Sequence, residues 1–139
     1  MKKIKNKINR IISDKKKTDS TSLYILDKLD KLIKTKRVFF INAKTKDIRG
    51  NHGHKKCTQV FVSINGKIQI EVFNGKKTKK FIMRPLIDIL KVEPNNWVKI
   101  HFKKKQLLMV LCDEYFTNKD YIFDKSLIGK SLKKKQNTD

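Results

Sequence analysis

Two cysteines, two prolines, five glycines and a single tryptophan make this 139-residue chain poor in the residues that cross-link, break or punctuate a fold. Cys57 and Cys112 are too few for a disulfide framework, which excludes a small fold stapled by bridges and suits a reducing compartment. No apolar run reaches the roughly 18 residues that a membrane-spanning helix needs. The opening "MKKIKNKINRIISDKKK" is positive but never becomes the continuous apolar stretch of a secretory signal. A soluble, cytoplasmic protein with no membrane partner is therefore expected. Arginine is also scarce: only Arg10, Arg37, Arg49 and Arg84 among 35 basic residues, against 13 acidic ones and a net charge of +22. Readers of bases rely on guanidinium forks interleaved with aromatics, and lysines scattered through every segment do not provide them. A specific nucleic-acid role is not expected. The charge would instead help to retain an anionic small molecule.

What is present reads as one domain, residues 1–139, rich in short strands. Residues 1–20 form a basic arm. Ile4, Ile8, Ile11 and Ile12 fall at helical spacing, and the alternative is an irregular arm ending in a short strand. "TSLYIL" is β-prone, "DKLDKLIKTK" is a polar connector or short helix, and "RVFFI" (37–41) predicts a buried strand. "TQVFVSI", Asn65-Gly66 and "KIQIEVF" predict a hairpin closed by a type I′ turn, with Asn74-Gly75 following. Val60, Val62 and Ile64 share one face of the first strand, and Ile68, Ile70 and Val72 one face of the second. Further strands are predicted at 80–83, 86–92, 98–102 and 106–112, with Pro85 and Pro94 between them. Residues 21–122 thus make an all-β antiparallel sandwich or barrel, and 123–139 a short helix and basic tail.

Chemistry concentrates in "RGNHGHKKCTQ" (49–59). On a strand, His52 and His54 point to the same side. With Gln59 and Gly66 they resemble the first motif of the cupin jelly rolls, His-x-His-x(3,4)-Glu-x(6)-Gly, except that Gln59 replaces the anionic glutamate. In the second cupin motif the histidine position falls on Lys99. Two imidazoles, an amide and an ammonium suit a divalent metal poorly, so no metal is expected. His101, alone in "VKIHF", reads as an ordinary strand residue.

"KRVFFI", "RGNHGHKK", Gln59, "NG" at 74, "PNNW" at 94, "LLMVL" at 107 and "DEYFTNKDYI" at 113 occur in one order. Over Arg37 to Ile122 they resemble the dTDP-4-keto-6-deoxyglucose 3,4-ketoisomerase family of small cupins. The resemblance implies an all-β cupin-type jelly roll with short helical or irregular extensions at both ends. It also implies a homodimer and a metal-free, cofactor-free tautomerase acting on a dTDP-linked keto sugar. His52 would be the base and His54 its neighbour in relay or orientation. Arg37 and Arg49 would contact the pyrophosphate or sugar oxygens, and Gln59 would orient a hydroxyl or a histidine. Trp97 would either shape the sugar pocket or pack the core. Tyr115 and Tyr121 would be packing residues, with Tyr115 also a candidate hydroxyl. The family's relay tyrosine falls on Phe39, so water, His54 or another hydroxyl such as Tyr115 must replace it, or the reaction differs. An epimerase and a non-catalytic dTDP-sugar-binding module remain the competing readings.

Overall fold

A computed structural model describes residues 8–13 and 20–130. The charged ends of both arms, including Ile4 and the tail after Lys130, lie outside the described residues. Twelve strands follow in order: β1 (Ile8–Arg10), β2 (Ile12–Ser13), β3 (Tyr24–Ile25), β4 (Arg37–Asn42), β5 (Asp47–His54), β6 (Gln59–Asn65), β7 (Ile68–Phe73), β8 (Thr78–Met83), β9 (Asp88–Val92), β10 (Trp97–Phe102), β11 (Leu107–Cys112) and β12 (Tyr121–Ile122). They form two five-stranded antiparallel sheets, β1-β9-β6-β11-β4 and β12-β5-β10-β7-β8, with β2 and β3 paired separately. This is the cupin-type jelly roll. Phe61, Ile68, Ile70, Met83, Leu90, Leu108 and Val110 are almost wholly excluded from water between the sheets. Each such side chain contributes roughly 1.5–3 kcal/mol of transfer free energy.

The Asn65-Gly66 turn departs from expectation. A type I′ turn needs positive φ at both central residues, and here only Gly66 has it, at 87°. β6 pairs with β9 and β11, whereas β7 pairs with β8 and β10, so this turn carries the chain from one sheet to the other. The physical reason is that Phe61 of β6 and Ile68, Ile70 and Val72 of β7 fill one core from opposite layers. Gln106 fastens the crossing: its amide donates to the Lys67 carbonyl (2.8 Å) and its oxygen accepts from the Lys103 N–H (2.8 Å). Asn74-Gly75 does lie in a hairpin, β7 to β8, but in a four-residue loop whose Asn74 side chain accepts from the Lys76 and Lys77 N–H groups.

The other face of β6 is buried too. Val60 and Val62 meet Ile11, Ile33 and Leu111, with Leu26, Leu29 and Leu32 laid over them. The stretch read as a polar connector or short helix is therefore a cover. It turns once as a 3-10 helix, Leu29–Lys31, to bring those leucines onto the sheet. Residues 8–13 run extended and pair with β9 and β3. Of the two readings of the N-terminal isoleucines, the described ones take the strand. "RVFFI" is not a buried strand: β4 is a sheet edge, with Phe39 and Ile41 turned inward and Val38 (47%) and Phe40 (59%) exposed. After Ile122 the described chain holds only a 3-10 turn, Lys125–Leu127, rather than a regular α-helix. Ile128 then seals a small cluster with Trp97 and Ile122.

Candidate active site

A cavity of about 130 Å³ opens between the two sheets. Phe61, Val98, Ile100 and Val110 give it apolar walls, Phe39 and Ile41 come from β4, and Arg37, Arg49, His52, His54, Gln59 and Tyr121 bring the polar groups. Five of the seven residues expected from the sequence thus share one space: Arg37, Arg49, His52, His54 and Gln59.

An irregularity in β5 makes this possible. Strict alternation would turn Arg49 away from His52 and His54. Gly50 and Asn51 both have positive φ (87° and 55°), and the pairing with β10 slips between Val98 and Lys99. The extra residue is a β-bulge, and it returns Arg49 to the cavity side. Gly50 is required here, because a Cβ would stand 2.6 Å from the Val98 carbonyl oxygen. Gly53 has a different reason. Its backbone is ordinary, but a Cβ would meet the Asn96 carbonyl oxygen at 2.7 Å and Ile128 Cδ1 at 2.8 Å. Space, not backbone freedom, selects glycine at that position.

His54 is anchored. Its Nδ1 shares a 2.8 Å hydrogen bond with Asp120 Oδ2, both groups being buried. Asp120 Oδ1 accepts the Lys56 N–H (2.6 Å) and its carbonyl accepts the Lys55 N–H (2.7 Å). A carboxylate so placed selects the tautomer with Nδ1 protonated, leaving Nε2, which has no protein partner, as the basic nitrogen. The His52 ring stands edge-on to His54, centroids 5.1 Å apart. Its Nδ1 is buried without a partner. Burial, then His54 and Arg49, depresses the His52 pKa to about 4. Burial also lowers that of His54, opposed by the bond and charge of Asp120. Both rings are therefore held toward the neutral, proton-accepting form near pH 7.

The Tyr121 ring lies against both histidines, at 4.7 Å and 4.8 Å between centroids. It is the single side-chain hydroxyl among the residues lining the cavity. Arg37 donates to the Glu114 carbonyl from Nε (3.3 Å) and lies over Phe39 and Phe116 at the rim. Gln59 turns its amide nitrogen toward Cys112 Sγ (3.6 Å).

Two expected residues stand elsewhere. Trp97 packs with Ile122 and Ile128 instead of shaping the cavity, because the pleat of β10 gives the cavity to Val98 and Ile100. Tyr115 is 71% exposed, with Lys36 Nζ 5.5 Å from its ring centroid, and Tyr121 takes the place expected of it. Asp120 is not among the residues expected from the sequence, although it lies in "DEYFTNKDYI"; nothing local in that stretch points to a histidine 66 residues away. The donors that a cupin metal would use do not suit one. Gln59 is neutral and engaged with Cys112, and Val98 rather than Lys99 faces inward, so the cupin donor set offers no metal to the reaction.

The site thus unites a histidine pair, an anchoring aspartate and two arginines inside a jelly roll. Residues 5–132 match the family described as WxcM-like, C-terminal (FdtA), and the chain belongs to it. It is 32% identical over 118 residues to the TDP-4-oxo-6-deoxy-alpha-D-glucose-3,4-oxoisomerase of Aneurinibacillus thermoaerophilus, covering 82% of this chain and 85% of that protein. The QdtA 3,4-ketoisomerase of Thermoanaerobacterium thermosaccharolyticum, solved as a double mutant in complex with TDP, superposes with a TM-score of 0.80 at 25% identity, covering 93% of this chain and 94% of that one. A 3,4-ketoisomerase from Helicobacter canadensis has the same fold, with a TM-score of 0.82 at 24% identity over 94% and 99% of the two chains.

Proposed function

We propose that this isomerase converts dTDP-4-keto-6-deoxyglucose into a dTDP-3-keto-6-deoxyhexose by proton transfer through an enediol. The observation that carries the reading is the neutral histidine pair, one ring anchored by Asp120, in a cavity rimmed by Arg37 and Arg49. The C4 ketone acidifies the hydrogen on C3. His52 removes it, electrons move to the C4 oxygen, which takes the Tyr121 hydroxyl proton, and the enediol forms. A proton then returns to C4 while the C3 hydroxyl loses its own, leaving the ketone at C3. Atoms and charge balance without a redox cofactor. His54, oriented by Asp120, exchanges protons with the sugar oxygens. Tyr121 supplies the hydroxyl that Phe39 lacks. Arg37 and Arg49 hold pyrophosphate oxygens, for which a guanidinium fork is suited. The 3-keto product would feed an amination step in surface-polysaccharide synthesis, and the enzyme would work as a cytoplasmic homodimer.

Product analysis by NMR tests this reading. A 3-keto sugar is expected, lost in His52→Asn with the fold intact. A C3 or C5 epimer that keeps its C4 ketone would make the chain an epimerase instead. Because Phe39 removes a hydroxyl from the cavity, a binding module without turnover is the second reading, indicated by tight dTDP binding with no product.

A further inference from the structure

The chemistry above leaves two buried thiols unused. Cys57 (1% exposed) and Cys112 (0%) are free thiols in the inter-sheet core, Cys57 Sγ donating to the Thr58 carbonyl (3.3 Å). Cys57 Sγ, a carboxylate oxygen of Asp120 and a ring nitrogen of His54 all lie within 4.8 Å of one another, and all three residues are buried. His54 Nε2, also buried, has no partner.

Thiolate, imidazole and carboxylate together make a donor set for zinc, whose tetrahedral bonds of about 2.0–2.3 Å place donors roughly 3.5 Å apart. His54 Nδ1 and Asp120 Oδ2 already approach to 2.8 Å, so small side-chain rotations would complete the triangle. We propose that His54, Cys57 and Asp120 form a binding site for one thiophilic divalent cation, with zinc as the best-suited ion, and that its occupation inhibits the enzyme. The Cys57 S–H bond is replaced by a sulfur–metal bond, the proton leaves to solvent, and no oxidant is involved. The ion takes over the His54–Asp120 hydrogen bond and so removes His54 from proton exchange. Lys55, Lys56 and Lys119 lie around Asp120 and oppose cation entry, so the thiolate supplies the selectivity for soft ions over magnesium or calcium. The inhibition rests on the function proposed above; the binding does not.

The experiment titrates the metal-freed full chain with Co²⁺ and then Zn²⁺. One Co²⁺ per chain with a sulfur-to-cobalt charge-transfer band is expected, displaced by one equivalent of Zn²⁺. Cys57→Ser and Cys57→Ala should keep metal-free activity and lose the band, and the zinc concentration that halves activity should rise at least about tenfold. No band in the natural chain, or a band that persists in both variants, overturns the site. A Cys57-dependent band in a chain that turns over no sugar supports the binding site while refuting the functional reading.

Discussion

At the scale of single residues, the arrangement depends on which proton each histidine carries. His52 has a pKa pushed down to about 4, chiefly by burial, so it is already neutral well below physiological pH. Protonation disables a base, so activity should stay level from about pH 8 to about pH 5 and fall by half only near pH 4. A pH profile of kcat/KM checks this. Half-loss at the ordinary histidine value of 6.5 would show that the ring is hydrated and not desolvated as the cavity requires. Asp120 offers a second test. Asp120→Ala leaves the buried His54 Nδ1 and the Lys56 N–H without their acceptor. Stability should drop by about 1–3 kcal/mol in denaturant titration. Turnover should fall roughly a hundredfold, with KM changed far less. Equal turnover in the variant would mean that His54 needs no anchor.

The elements decide how these residues meet. The period of two placed His52 and His54 on one side correctly, because alternation is a local property of any strand. It could not place Arg49 with them, since the Gly50-Asn51 bulge breaks the period by means of two positive φ angles. Its marker was the Gly-Asn dipeptide, which the sequence equally allows in an ordinary turn. Asn65-Gly66 departs from the expected hairpin for a related reason: its local chemistry is the same whether the flanking strands pair or part into two layers. Only the burial of Phe61 opposite Ile68 and Ile70 decides between them. Asp120 was out of reach because its partner lies in a distant strand, and no spacing encodes that contact. Close packing of β5 gives a prediction at this scale. Gly53→Ala puts a methyl group 2.7 Å from the Asn96 carbonyl oxygen and against Ile128. Thermal unfolding should show a loss of about 1–3 kcal/mol. An unchanged melting temperature would mean that the loop after Pro94 yields freely.

For the whole molecule, the jelly roll was legible because many short alternating strands leave few other ways to bury their apolar faces. What was not legible is how the 24–33 segment roofs the outer face of β6, a tertiary choice carried by scattered leucines. The net charge of +22 acts at this scale too, and would draw the proposed sugar nucleotide toward the cavity from a distance. Raising salt from about 0.05 to about 0.5 M should therefore raise KM several-fold with little change in kcat, because screening weakens capture and leaves the desolvated interior alone. A salt-independent KM would confine recognition to contacts inside the cavity. The most direct measurement incubates the chain with dTDP-4-keto-6-deoxyglucose in D2O and follows the sugar by NMR. Deuterium entering at C4 as the ketone moves to C3 is the predicted result. An unlabelled sugar with its ketone still at C4, under conditions where dTDP binds, would contradict the assignment of His52 as a base.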